Sequence, residues 1–263
     1  QFKEMFFTSY HRIHKHYPLH KMLDGRPDRS YVLDSLKNNT TINTKVVPYI
    51  FKDWDFVKLQ KNFEVPYSWN LVHNLKDKAI SPTRKEIFNT LSRRNTIFGA
   101  ENRRGILKSL KMETVQLREF LQKVNDEGIA EEDRIIGVYP KERELKIKAR
   151  LFSLMSFKLR LYIVSTEALL GDKIIRYFPQ ITMSLDMLSM IKKMFRVSSQ
   201  TNRGDDSITV IFNLDFVKWN LQMRKDICSP VFSQLGELFG MPLIFERTHD
   251  IFKNSLIYLC SGE

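Results

Sequence analysis

Cysteine is almost missing from this chain. Cys228 and Cys260 are the only two in 263 residues, too few for a disulfide framework and in keeping with a reducing compartment. Long apolar runs are missing too: no stretch approaches the roughly 18 residues that a membrane span needs. The N-terminus, Gln1-Phe2-Lys3-Glu4, is mixed and charged and lacks a secretory pattern. There are no internal repeats and no low-complexity tracts. Acidic residues are in deficit, 30 against 42 basic ones, which leaves a formal charge of +12. The imbalance points to a polyanionic partner, nucleic acid or nucleotide phosphates first, although an anionic membrane surface gives the same bias. Because the first residue is Gln1 and not Met, the chain is expected to be a piece of something longer.

What is present is the composition of a folded protein. Hydrophobic residues make up 43% and aromatics 12%, enough for one large domain or two small ones around a sizeable core. Residues 1–24 are aromatic and basic, with His11, His14, His16 and His20 close together. No nearby Cys or carboxylate completes a tetrahedral metal set, so a solvated, partly phosphate-facing segment is expected. Asp24-Gly25-Arg26-Pro27 reads as a turn, 37–45 as a Thr/Asn-rich loop, and Val46 to Val57 as a short apolar element kinked at Pro48. Ser81 is placed to cap a helix reaching Leu91, with Pro82 in its first turn. Arg93-Arg94 and Arg103-Arg104 bracket a loop. Glu113 to Val124 is amphipathic, with Val115, Leu117, Phe120 and Leu121 at near-helical spacing. Asn125-Asp126-Glu127-Gly128 ends it and marks the expected internal boundary.

Ile135 to Val138 reads as a short strand. The most charged part of the chain follows, Lys141 to Arg160, with seven basic and two acidic residues, a net +5. Within it Leu145, Ile147, Ala149 and Leu151 alternate with Lys146, Lys148 and Arg150. Period two puts the three cations on one face of an extended ribbon. Arg forks and Lys point charges both match phosphate oxygens, so such a ribbon suits a triphosphate or an RNA backbone; a solvated charged face is the other reading. Phe152, Met155, Leu159 and Tyr162 then fall on one helical stripe. Thr182 or Ser184 is expected to cap a helix running to about Arg196, whose stripe of Met183, Met187, Met190 and Met194 reads as core. Ser198 to Ser207 reads as a polar loop.

Ile208 to Phe212 is a β-branched and aromatic run, a buried strand that delivers one carboxylate, Asp215, just past its end. Trp219 to Ile227 reads as helical, so Asp215 is expected at a strand-to-helix turn, where a scaffold holds a side chain rigidly. A hard cation such as Mg2+ takes oxygen ligands, one or two carboxylates plus substrate phosphates being its usual set. A surface Asp ending an ordinary strand fits the same stretch. Ser229-Pro230 is expected to start a further helix that Gly240 stops. Met241 to Leu259 reads as one more helix, with His249 a satisfied structural histidine.

Two of these stretches together resemble a known family, the large (L) polymerase proteins of nonsegmented negative-strand RNA viruses, with the rhabdovirus branch nearest. Lys141-Glu142-Arg143-Glu144-Leu145-Lys146, continuing through Arg150 and Lys158-Leu159-Arg160, resembles the basic fingers motif F. Asp215-Phe216-Val217-Lys218-Trp219-Asn220 resembles motif A. Ile191-Lys192-Lys193-Met194, Gly240-Met241-Pro242, Glu246-Arg247-Thr248-His249 and Ser255-Leu256-Ile257-Tyr258 follow the same pattern in order, and Asp77-Lys78-Ala79-Ile80-Ser81-Pro82 does so upstream.

The resemblance implies a helix-rich α+β fold, an incomplete right-hand RNA polymerase with fingers and the first part of the palm. Its divisions would be 1–128 for the N-terminal part of the fingers region, 129–206 for fingers with motif F, and 207–263 for the start of the palm with motif A. It implies Asp215 as a ligand in a two-metal Mg2+ site. Lys146, Lys148 and Arg150, with Lys141 and Arg143, would neutralise the nucleotide's phosphates, and Asn220 would hydrogen-bond the ribose 2′-hydroxyl. RNA template and nucleoside triphosphates are the implied substrates, a viral phosphoprotein and nucleoprotein-coated RNA the implied partners, and virion and host cytoplasm the implied location, with no membrane association. The family's motifs B and C, the latter carrying the second metal-binding Asp, are not among these residues. Gly204-Asp205-Asp206 precedes Asp215 and so stands in the wrong order for motif C. The isolated chain is therefore expected to be inactive. A non-catalytic fragment of viral origin that only binds RNA or nucleotide phosphates is the competing reading.

Overall fold

A computed structural model describes residues 1–15, 59, 61–68, 75, 78–92, 104–111, 115–140, 150–183, 185–198, 214 and 223–260. Among these the protein is helix-rich α+β. In chain order the helices are α1 (Phe2–His14), α2 (Arg84–Ser92), α3 (Gly105–Lys111) and α4 (Leu117–Glu127). Strands β1 (Ile135–Pro140) and β2 (Leu151–Met155) follow, then α5 (Phe157–Leu169), α6 (Met187–Ser198), α7 (Lys225–Phe239), α8 (Arg247–Asn254) and strand β3 (Leu256–Leu259).

Helix α5 is the centre. It carries apolar residues on all sides, and Phe157, Leu159, Leu161, Tyr162, Val164 and Leu169 are buried. A helix with no polar face belongs inside a protein. Its buried hydroxyls are satisfied within the helix, Ser165 Oγ donating to the Leu161 carbonyl at 2.7 Å and Thr166 Oγ1 to that of Tyr162 at 3.0 Å. Covering α5 takes elements from the whole chain. Phe6 and Phe7 of α1, Leu121 and Val124 of α4, Leu238 and Phe239 of α7, Ile244 and Phe245, and Ile251 of α8 all join one apolar cluster with it.

Helix α1 corrects the expectation of a solvated N-terminal segment. Phe6 and Phe7 are at most 1% exposed, Tyr10 stacks on Tyr177 with ring centres 5.6 Å apart, and His14 Nε2 lies 3.1 Å from the Tyr177 hydroxyl. The aromatic residues win over the basic ones because burying one ring contributes on the order of 2 kcal/mol. His16 and His20 lie outside the described residues, as do the 24–27 turn, the 37–45 loop and the element at 46–57.

Several element boundaries move for identifiable reasons. Ser81 does not cap α2. Thr83 and Glu86 form a reciprocal capping box there, the Thr83 N–H donating to Glu86 Oε2 at 2.8 Å and the Glu86 N–H to Thr83 Oγ1 at 3.3 Å. Phe152 and Met155 are not on a helical stripe with Leu159 and Tyr162. They lie in β2, and Ser156 caps α5 by accepting from the Leu159 N–H. Asp186, not Thr182 or Ser184, caps α6, accepting from the Ser189 N–H at 2.8 Å and the Ser189 hydroxyl at 2.9 Å. The methionine stripe is not core: Met183, which precedes α6, is 89% exposed, and within α6 Met187 is 69% and Met194 64% exposed, with Met190 half-buried.

At the C-terminal end, Met223 and Arg224 are not helical, and α7 starts at Lys225 with Ser229 and Pro230 inside it. Gly240 stops α7 as expected, at φ +71°, where a glycine suits the left-handed cap. Gly236 is a glycine for another reason: a Cβ there would sit 2.5 Å from the Met241 carbonyl oxygen. Residues 241–259 are not one helix but a tight turn that buries Met241, Ile244 and Phe245, then α8, then β3. His249 stacks on Phe232 at 5.5 Å. Its buried Nε2 has no hydrogen-bond partner among the described residues, unlike the satisfied histidine expected there.

The Tyr162 hydroxyl donates to the Ile244 carbonyl at 2.5 Å and lies 3.0 Å from Thr248 Oγ1, tying α5 to the turn before α8. Burial pushes the phenol up to about 12. A raised pKa favours the neutral folded form. Its contribution is complete below the unfolded value of about 10 and is lost as pH rises through the folded one. Tyr162→Phe is expected to destabilise by about 1–3 kcal/mol at pH 7, because the Ile244 carbonyl is left unsatisfied. In denaturant titrations the gap between wild type and variant should close between about pH 10 and 12.

Candidate functional site

Three strands form the sheet, in the order β2-β1-β3. β1 pairs antiparallel with β2, from Ile136 opposite Met155 to Pro140 opposite Leu151. On its other side β1 runs parallel to β3, from Ile135 beside Leu256 to Val138 beside Leu259. The antiparallel register has a direct consequence for the basic stretch. Because Pro140 faces Leu151, both ends of the connection that holds Lys141, Arg143, Lys146 and Lys148 are fixed side by side at one end of the β1–β2 pair.

Those four residues lie outside the described residues, and so do Asp215, Trp219, Asn220, the Ile208–Phe212 strand and Gly204-Asp205-Asp206. Of the predicted site, Arg150 is described: it is exposed and precedes β2 directly. Leu214, the residue before Asp215, is exposed as well. The two downstream cations of the basic stretch belong to α5. Lys158 pairs with Asp133 at 3.3 Å, and burial pushes the Asp133 carboxyl up while Lys158 pulls it down. Arg160 has its Nε buried, without a hydrogen-bond partner among the described residues. Among the described residues no group of three or more His, Cys, Asp or Glu is placed to hold a metal ion. The case for Mg2+ therefore rests on Asp215, an oxygen donor of the kind that hard cation takes.

What the described residues do show is how the sheet is tied together. Gly137 is the gap in β1. A Cβ there would lie 2.7 Å from the Tyr258 ring and from Cys260 Sγ. Through this gap the Tyr258 side chain crosses β1, and its hydroxyl lies 3.0 Å from Ser81 Oγ. Ser81 is 1% exposed, and its N–H donates to the Met155 carbonyl of β2 at 2.8 Å. At the start of β1, Ser156 Oγ donates to the Asp133 carbonyl at 2.6 Å. Beside it the Arg84 guanidinium donates to the carbonyls of Arg134 and Asn254, each at 3.3 Å, and to Glu131 Oε1 at 2.6 Å. The sequence carries no local sign of these roles for Arg84 and Tyr258, whose partners are 47 to 177 positions away.

The described residues thus form a helix-rich α+β scaffold that fixes both ends of a strongly basic connection, in a chain of formal charge +12. The chain belongs to the Mononegavirales RNA dependent RNA polymerase family, whose model matches residues 1–262. It is 77% identical over its whole length to the RNA-directed RNA polymerase L of Taro vein chlorosis virus and 76% identical to that of Maize mosaic virus. It is also 37% identical, over 85% of its length, to the Large structural protein of Rabies virus. The chain spans about 14% of the length of the first two relatives and 10% of the third. No helix among the described residues is long and apolar enough to cross a membrane.

The gap at Gly137 yields a test. Gly137→Ala forces the Tyr258 ring off β1 and should cost about 1–3 kcal/mol in chemical denaturation. Tyr258→Phe, which keeps the ring carbon that a Cβ would meet, should not relieve that cost in the double variant.

Proposed function

We propose that this chain supplies the phosphate-binding side and one metal-binding carboxylate of a templated ribonucleotide transfer. The observation that carries the reading is the agreement with the polymerase family from residue 1 to 262. Added to it are a motif F-like and a motif A-like stretch in the family's order. In this reading residues 1–128 are the N-terminal part of the fingers region, 129–206 are fingers, and 207–263 open the palm of a right-hand polymerase.

Lys146, Lys148 and Arg150, with Lys141 and Arg143, neutralise the triphosphate, which carries more negative charge than any one of them can offset. Asn220 accepts or donates a hydrogen bond at the ribose 2′-hydroxyl and so favours ribonucleotides. Asp215 ligates Mg2+, which when bound as a pair supplies charge stabilisation at the attacking and leaving oxygens. RNA template and nucleoside triphosphates are the substrates, and a phosphoprotein and nucleoprotein-coated RNA are the partners of the whole polymerase. The 263 residues alone bind polyanions without polymerising, because Asp215 is one ligand where a two-metal site needs more.

Fluorescence anisotropy with labelled single-stranded RNA over a salt series tests the binding side. Affinity should fall steeply with salt and show little sequence preference. Changing Lys146, Lys148 and Arg150 together to Ala should weaken binding and reduce the log–log salt slope by about two, at roughly 0.7 for each single-strand phosphate no longer neutralised. Asp215→Ala should leave binding unchanged or slightly tighter. A salt-independent affinity that the triple change does not touch would remove the basic stretch from the site. Primer extension with all four nucleotides tests the catalytic side. Templated extension by the 263-residue chain, lost in Asp215→Ala, would overturn its inactivity.

A further inference from the structure

Strand β3 is held in place by little packing. Leu256 is 40% exposed, Ile257 60% and Leu259 75%, and its pairing with β1 covers four residues. Burial of so little apolar surface does not fix a strand against its neighbour, so polar ties must. The ties at the β1–β3 junction converge on one short segment, Ser81 to Arg84. Arg84 reaches the carbonyl of Arg134, the residue before β1, through Nε, and that of Asn254, the last residue of α8, through Nη2. The same Arg134 carbonyl accepts the Leu256 N–H at 3.0 Å. Arg84 therefore staples the start of β1 to the α8–β3 junction, with Ser81 holding Tyr258 alongside. A neutral side chain of similar length cannot replace it, because the two carbonyls need donors in a fixed fork.

The two strands so joined lead to different parts of the chemistry. β1 and β2 bracket the basic connection. β3 closes the arm of α7 and α8, which is braced by Lys225 to Asp250 at 3.1 Å and Ser229 to Glu246 at 2.5 Å and follows Asp215 in the chain. We infer that Arg84 is a positioning residue for nucleotide binding: it sets β1 and β2, which flank the basic connection, against α8 and β3, in the part of the chain that follows Asp215. This rests on the functional reading above. Displacements of about 1 Å at a reacting centre are enough to change rates a hundredfold, so a staple at the base of the hairpin has leverage on nucleotide affinity without touching the nucleotide.

The test uses a full-length polymerase carrying this segment, assayed by primer extension with varied nucleoside triphosphate. Arg84→Met should raise KM for the nucleotide roughly tenfold and leave kcat within about threefold, while Arg84→Lys, which keeps one donor group, should raise it about threefold. Glu131→Gln removes the exposed ion-pair partner alone and should move KM less than about twofold. Combining Arg84→Met with the triple change at Lys146, Lys148 and Arg150 should add no more than about twofold to the effect of the triple change, because both act on the same phosphate site. A lowered kcat with unchanged KM means only that less enzyme is folded and overturns the inference, as do fully multiplicative effects in the combined variant. If Arg84→Met does not accumulate, Arg84→Lys carries the same test. A triple variant with normal KM would defeat the functional reading itself. A triple variant with raised KM beside normal Arg84 variants defeats this inference alone.

Discussion

Helix α5 is buried on nearly every side, and covering it dictates where most of the other described elements lie. Its N-terminus is fixed by Ser156, which caps the helix and also donates to the Asp133 carbonyl, so the end of β2 and the start of β1 are set by the same hydroxyl. Its middle is fixed by Tyr162, which reaches the turn before α8. Past its C-terminal end, Tyr177 receives the aromatic face of α1, with Phe6 edge-on at 5.1 Å. A helix that cannot face water thus gathers both ends of a long chain around it. The sheet with its basic connection is positioned as a consequence, since β2 runs directly into α5 with Ser156 between them.

The second constraint is polar. Main-chain carbonyls at element ends need donors, and among the described residues the side chains of Arg84, Arg118 and Arg247 supply them across distant segments. Arg118 donates to the Val65 carbonyl through Nε at 3.0 Å and Nη2 at 2.8 Å. Arg247 reaches the Asn125 and Asp126 carbonyls at 2.8 and 2.9 Å, closing the end of α4 where a cation also suits the helix dipole. Arg84 does the same between β1 and α8. Each ties segments 50 or more positions apart. Charge alone assigns such arginines to phosphate; geometry assigns these three to the fold.

That difference decides how much of the protein could be read from its residues. Period and caps carried several local elements: Ile135 to Val138 is a strand and Gly240 ends α7, while the amphipathic run expected over Glu113 to Val124 is α4 with shifted bounds, Leu117–Glu127, leaving Val115 outside it and Asn125 to Glu127 within it. The misses have two causes. Phe152 and Met155 fit a helical stripe by spacing, but Ser156 breaks it with a cap, and a stripe cannot register a cap that falls inside it. Met183, Met187 and Met194 look like core because apolar residues at helical spacing usually are, yet what covers a face is a tertiary fact that no window of sequence contains. Likewise Arg84 and Tyr258 carry no local signal, since what matters about them is a carbonyl or a glycine on another strand. The proposed site residues rest on another signal, likeness in order and spacing to a polymerase family, and that family is the one whose model matches residues 1–262.

The arginine ties also separate two effects of salt that would otherwise be confused. Hydrogen bonds from Arg84, Arg118 and Arg247 to main-chain carbonyls are short-range and partly buried, so ions in solution weaken them little. Their carboxylate partners are largely at the surface, Glu131 at 72% and Glu64 at 67% side-chain exposure, where an ion pair contributes less than about 1 kcal/mol and is screened. Raising salt over the range used for nucleic-acid binding therefore removes only a small part of what holds the sheet and helices together. Counterion release from a bound phosphate backbone, by contrast, changes affinity by orders of magnitude over the same range. In the proposed reading a steep salt dependence of RNA affinity would thus report on cations that meet phosphate, while the arginines that meet carbonyls keep the scaffold in place as it is measured.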